Sequence, residues 1–188
     1  MKMNLSKLFE LQRQLDEHIE REHSPKDGEN RFEKKILALQ VELGELANEW
    51  RGFKFWSHDQ EPRTEVYKFS PLHNEPLIVK TNPLLEEYVD CLHFILSIGL
   101  ELGMDEIADE LDLKKIDFLA SNTILSCFID LSYDIADFYY QRKDDDIAPY
   151  LYKYILLEFS KLGEMLGFTW EQIEQAYMEK NRINFKIE

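Results

Sequence analysis

Between Tyr88 and Leu102 the sequence reads YVDCLHFILSIGLEL, which is apolar on nearly every side of a helix. A helix that is apolar all round has to be enclosed by other elements, so this stretch is expected to be the central member of a bundle. The rest of the chain supplies the enclosure. Apolar residues recur with a period near 3.6 almost throughout, and no stretch alternates for more than a few residues. The expected fold is therefore all-α, a helical bundle of about six to seven helices with no sheet. The helices are expected over Asn4 to Glu22, Arg31 to Trp50, Pro83 to Leu102, Asp105 to Leu113, Asp117 to Gln141, Ile147 to Leu166 and Trp170 to Asn184.

Local signals support these limits. Asn82 followed by Pro83 reads as an N-cap and a first-turn proline, and Thr169 with Gln172 reads as a capping box. Gly103 and Gly167 follow apolar runs as C-terminal caps. The stretch from Ser57 to Thr81 contains Pro62, Pro71 and Pro76 and is expected to be a long loop or inserted excursion. With 188 residues, the chain fits one domain over 1–188.

The formal net charge of -15 argues against a nucleic-acid backbone or an anionic membrane as the main partner, since both need the opposite field. Cys91 and Cys127 lie in apolar segments without metal-binding spacing, and read as reduced core residues. No apolar run reaches membrane-spanning length, and residues 1–30 are amphipathic rather than signal-like. The expected location is cytoplasmic.

On the helix from Arg31 to Trp50, Ile36, Leu39, Leu43, Leu46 and Trp50 form an apolar stripe, and Glu42, Glu45 and Glu49 form a second stripe about a quarter turn away. Like charges at this spacing destabilise a helix by roughly 0.2–0.5 kcal/mol per pair, and partial burial makes them worse. Taken alone, such a motif is usually a solvated face paired with lysines such as Lys34 and Lys35. A second feature changes the reading. On the central helix Glu86, Glu87, Asp90 and His93 share one polar window, extended by Ser97 and Glu101. Acids in the first turn complement the helix dipole, but Asp90 lies too far along for that explanation. A carboxylate near the middle of a core helix needs a partner. Two helices that each present an i, i+3 acidic pair supply several hard oxygen ligands, a set suited to magnesium or manganese rather than zinc. Magnesium commonly bridges carboxylates to phosphates, which points to a phosphorylated substrate.

The pairing of ExxE at Glu42 and Glu45 with ExxD at Glu87 and Asp90 resembles the all-α nucleoside triphosphate pyrophosphohydrolases, the group containing MazG-like proteins and the dimeric dUTPases. The strings ELANEWRGFKFWS, LLEEYVDCLHFILSIG, YMEKNRIN and LFELQRQLD resemble the dimeric dUTPases specifically, so the resemblance spans nearly the whole chain. It implies hydrolysis of dUTP, and of dUDP, to dUMP by a homodimer, with a metal-activated water as nucleophile. Glu42, Glu45, Glu87 and Asp90 are then the magnesium ligands, and Glu49 is either a further ligand or the base that orients the water. After Asn184 the sequence reads FKIE, without the Arg-Gln pair expected of the family.

Several residues fit a nucleotide site. Gln12 lies in the apolar stripe of the first helix, and within LFELQRQLD its amide is expected to read the uracil edge. Replacing it by alanine is expected to weaken dUTP binding far more than it disturbs folding. Tyr177, Lys180 and Asn184 continue the core face of the last helix, where Lys180 suits phosphate and Asn181 or Asn184 the base or sugar. Trp56 and Lys54 follow the acidic helix, either stacking on the base and meeting phosphate or packing the helix end. His93 is either a partner of the carboxylates or a satisfied core histidine. Two rival functions remain: a related pyrophosphohydrolase with another base preference, and a non-catalytic helical interaction protein. Retention of all four expected ligands argues against the second. The many aromatics, among them Trp50, Phe53, Phe55, Phe118, Phe128, Phe138, Tyr139, Tyr140, Tyr150 and Tyr154, give a dimer a physical motive.

Overall fold

The computed structural model of the protein describes residues 5–70, 77–106 and 122–186. In chain order the elements are α1 (Leu5–Glu22), α2 (Arg31–Trp50), β1 (Val66–Ser70), β2 (Leu77–Thr81), α3 (Pro83–Glu101), α4 (Ile124–Gln141), α5 (Ala148–Met165) and α6 (Trp170–Asn184). The fold is an all-α bundle. The expected helix Asp105 to Leu113 and the expected start at Asp117 fall on residues outside those described, apart from a short 3-10 turn over 104–106. The expected helix Asp117 to Gln141 is corrected at its start: Asn122 and Thr123 are not helical, and the helix begins at Ile124, where the extended Thr123 forms a reciprocal capping box with Ser126.

One expectation needs correcting, the absence of any sheet. Residues Ser57 to Thr81 are not all loop, because β1 and β2 pair antiparallel with Val66 opposite Thr81 and Ser70 opposite Leu77. VYKFS and LIVKT are rich in β-branched and aromatic residues, but each strand is only five residues long, too short for alternation to stand out against the helical period. The hairpin leaves α2 unchanged. Its base is tied to the bundle by Arg63 N–H donating to the Glu49 carbonyl at 3.0 Å and Leu84 N–H donating to the Arg63 carbonyl at 3.1 Å.

As expected, α3 is central, with α2, α1, α6 and α5 all packed against it and α4 packed on α5 and α2. Its start is fixed by the Asn82 side chain, which accepts from Leu85 N–H, and by Pro83 in the first turn. Val89, Cys91 and Leu96 are completely buried at the heart of the core, beside Leu46 of α2, Leu131 of α4 and Leu162 of α5. Both cysteines are free and buried. Among the described residues no helix is long and apolar enough to cross a membrane.

The α3–α5 contact is a reciprocal lock. Tyr152 of α5 lies over Gly99 of α3 and donates to the Ile95 carbonyl at 2.8 Å, while Tyr88 of α3 lies over Gly163 of α5 and donates to the Phe159 carbonyl at 3.1 Å. Each glycine is there because a methyl group would collide with the opposing tyrosine. Both hydroxyls are buried and bonded, so neither ring can retreat without stranding a polar group. Gly99→Ala is therefore expected to cost about 1–3 kcal/mol of stability, measured by urea denaturation.

Candidate active site

The Asn30 side chain caps α2 by accepting from Glu33 N–H, and the apolar stripe Ile36, Leu39, Leu43 and Leu46 seats the helix on α3. That seating turns the neighbouring glutamate stripe toward the polar window of α3. Glu42, Glu87 and Asp90 converge, each offering a carboxylate oxygen within 4.8 Å of the others. All three are partly buried. Desolvation first, and mutual repulsion second, push Glu87 up to about 7, with Asp90, Glu45 and Glu42 as the repelling charges. Glu42 is raised by burial and then by Asp90 and Glu45. Asp90 is also raised, chiefly by burial, against the lowering effect of Lys180.

Glu45 is exposed and stands outside this triad, although its charge acts on all three members. Glu49, one turn further, is held at its Oε1 by Arg63 Nη1 at 3.5 Å, and its Oε2 is buried without a hydrogen-bond partner. The lysines available as counter-ions on α2 itself are engaged elsewhere: Lys34 with Glu29, and Lys35 with Glu101 at 2.8 Å. The cation that meets the triad comes from α6, where Lys180 Nζ donates to Asp90 Oδ2 at 2.6 Å.

From the triad a cleft of about 500 Å³ runs between α1 and α2, floored by α3 and closed at one side by α6. Its lining includes Gln12, Asp16, Glu42, Asp90, His93, Phe94, Ser97, Lys180 and Asn184. The volume suits a small organic ligand. Gln12 is 3 % exposed, and its Oε1 accepts from the Tyr177 hydroxyl at 2.6 Å and from His93 Nδ1 at 2.8 Å. His93 is a neutral donor rather than a partner of the carboxylates. Burial, aided by the charge of Lys180, lowers it to about 3. Tyr177 is completely buried, with its ring stacked on His93, and burial holds its hydroxyl well above the ordinary range.

Not every expected residue is brought to the cleft. Asn181 is buried and ties α6 to α1 by donating to the Leu11 carbonyl at 3.3 Å. Lys54 donates to the Asn48 carbonyl at 3.3 Å, and Trp56 is 65 % exposed against Phe53 and Phe55; neither lines the cleft. They belong to the turn after α2, which Arg51 fixes by taking a left-handed conformation and bonding Asp59 at both its carbonyl and carboxylate. Asp16 also lines the cleft, although no sequence motif marks it. The available signal was its position one turn after Gln12 on an otherwise apolar face.

A family model described as dUTPase matches residues 4–70 and 73–187 of the chain. The chain belongs to the all-α dUTPase family. No curated protein matches it. As a dUTPase it is an enzyme, a dUTP diphosphatase, and its substrate is a nucleotide. A divalent metal is usual for dUTPases, and the triad is the acidic cluster that fits one among the described residues.

For this dUTPase the Gln12 geometry revises one expectation. Gln12→Ala would strand two buried donors, Tyr177 Oη and His93 Nδ1, as well as opening a void. It is expected to lower stability by about 2–4 kcal/mol in chemical denaturation.

Proposed function

We propose that the protein hydrolyses dUTP, and dUDP, to dUMP with magnesium or manganese held by Glu42, Glu87 and Asp90, the set being extended by Glu45. The observation that carries this reading is the convergence of three carboxylate oxygens within 4.8 Å at the end of a nucleotide-sized cleft. The donor set fits such an ion: the oxygens are hard, no thiolate is among them, and all three acids are raised, first by burial and then by neighbouring carboxylates, so a cation bound among them would relieve both costs. When bound, the metal supplies charge neutralisation at the polyphosphate and activates water for attack.

The chain's own groups divide the remaining work. Lys180 has a phosphate-binding ammonium already at the mouth of the triad, and Asn184 lines the same cleft for the sugar or base. Gln12 presents its amide to the uracil, held by Tyr177 and His93. Glu49 lies one turn beyond Glu45 and has one buried carboxylate oxygen unpaired, which supports the reading that it is a further ligand or the group that orients water. Phosphoryl transfer needs chiefly positioning and electrostatic stabilisation; the helices that line the cleft would supply the first, and Lys180 with a bound metal the second.

The enzyme is proposed to act as a homodimer in the cytoplasm. Leu125, Ile129, Tyr133 and Tyr140 form an exposed stripe along α4, and Tyr150 is also exposed, whereas Phe128 and Phe138 are absorbed by the core. Phe118 lies outside the described residues. The substrate assignment is tested by supplying dUTP, dUDP, dCTP, dTTP and UTP separately with magnesium and resolving the products by ion exchange. Conversion of dUTP and dUDP to dUMP is expected. Equal turnover of dCTP would move the assignment to a related pyrophosphohydrolase.

A further inference from the structure

One set of hydrogen bonds in the cleft has a fixed direction. At its head, Asp16 Oδ1 accepts from Gln12 Nε2 at 2.7 Å, and Asp16 Oδ2 accepts from the Ser97 hydroxyl at 2.6 Å. Gln12 Oε1 then accepts from Tyr177 Oη and His93 Nδ1. At the far end His93 Nε2 is buried and has no hydrogen-bond partner, in a residue only 6 % exposed that lines the cleft.

Three members of this set are ambivalent. A glutamine amide can be turned end for end, a tyrosine hydroxyl donates or accepts, and a neutral imidazole has two tautomers. Gln12, Tyr177 and His93 could therefore satisfy one another in either sense. Asp16 removes the choice, because a carboxylate only accepts and must face the NH₂ end of Gln12. With Oε1 turned toward Tyr177 and His93, the histidine proton is required on Nδ1 and Nε2 is left as a bare acceptor. The second N–H of Gln12 remains as a donor, since Asp16 uses only one.

Resting on the dUTPase reading, we infer that Asp16 is the positioning residue for base specificity: it polarises Gln12 and His93 into one N–H donor and one bare nitrogen acceptor, the complement of a uracil carbonyl and its neighbouring N3–H. Cytosine presents the reverse pair, an amino donor and an unprotonated N3, so it sets donor against donor and acceptor against acceptor. Buried mispaired groups are what allow a site to reject an analogue strongly. Thymine shares the uracil edge, so this device separates dUTP from dCTP and leaves dTTP to be excluded by shape.

The test uses the full-length protein and Asp16→Asn, whose amide can face Gln12 with either end. In the wild type, nitrogen-15 NMR of labelled histidine, with His93 assigned through His93→Gln, is expected to show His93 protonated on Nδ1 and bare on Nε2. In Asp16→Asn a second tautomer is expected, and the ratio of kcat/KM for dUTP over dCTP is expected to fall roughly 10- to 100-fold. Should Asp16→Asn not fold, Ser97→Ala loosens the same carboxylate and carries the same expectation at smaller size. A wild-type His93 protonated on Nε2 overturns the inference. So does a folded, active variant with an unchanged ratio, or a changed ratio with an unchanged tautomer. Wild-type protein that turns over neither nucleotide defeats the dUTPase reading first, and the inference with it; an active wild type confines any failure to Asp16.

Discussion

Replacing Glu87 by glutamine is expected to reduce dUTP hydrolysis at least about a hundredfold to a thousandfold while leaving the metal-free protein as stable as before, or more so. The two halves of this expectation have one cause. Glu87 is half-buried beside Asp90 and Glu42, and its raised value of about 7 means that the fold disfavours its charge at neutral pH. A neutral amide of the same shape relieves that repulsion. The same amide is a poor ligand for a hard divalent cation and leaves the triad short of one negative charge. Thermal denaturation in chelator and steady-state turnover in magnesium measure the two effects separately. A variant that loses activity only because it unfolds would show that Glu87 is structural.

The second large expectation concerns pH. An acid whose folded value lies above its unfolded one holds its proton longer in the folded state. The stability it contributes is present below its ordinary value of 4.5 and is lost as pH rises through about 7 for Glu87. Glu42 and Asp90 are shifted in the same direction, and Asp134, raised from 3.8 to about 6 by burial and by Glu158, Asp130 and Asp137, adds to the slope. His93 opposes part of this slope, because an imidazole lowered to about 3 by burial adds stability as pH rises toward its ordinary value of 6.5. The carboxylates outweigh it, so chelated protein should melt at a lower temperature at pH 7.5 than at pH 5. Magnesium has the opposite dependence, since it binds the deprotonated triad. Its apparent affinity is expected to rise about tenfold per pH unit for each proton displaced, levelling off above about 7. Calorimetry in buffers of different ionisation enthalpy reads the released protons directly; binding that is independent of pH below 7 would place the ion elsewhere.

Much of this is legible in the sequence alone. The all-round apolarity of Tyr88 to Leu102 required a central helix, and the capping signals at Asn82, Thr169 and Gly167 recur in the structure because they depend on residues adjacent in sequence. The approach of Glu42 to Glu87 and Asp90 followed from two periodic helices each carrying acids beside a buried stripe. What stayed hidden depends on contacts distant in sequence. No local pattern distinguishes Lys180 from Lys34 as the cation that meets Asp90. The hairpin at Val66 to Thr81 is too short for its alternation to compete with a helical background. The polarity of Gln12 is set by Asp16, and its consequence appears only when α3 and α6 bring His93 and Tyr177 to the same oxygen.

The measurement that bears most directly on the carboxylate site is dUMP production by purified protein in excess chelator, followed by addition of magnesium in excess over the chelator. The triad assignment requires no product in chelator and full recovery with magnesium in the wild type, with no recovery in Glu42→Gln or Asp90→Asn. Undiminished dUMP formation in chelator, or wild-type turnover by those variants, would contradict it.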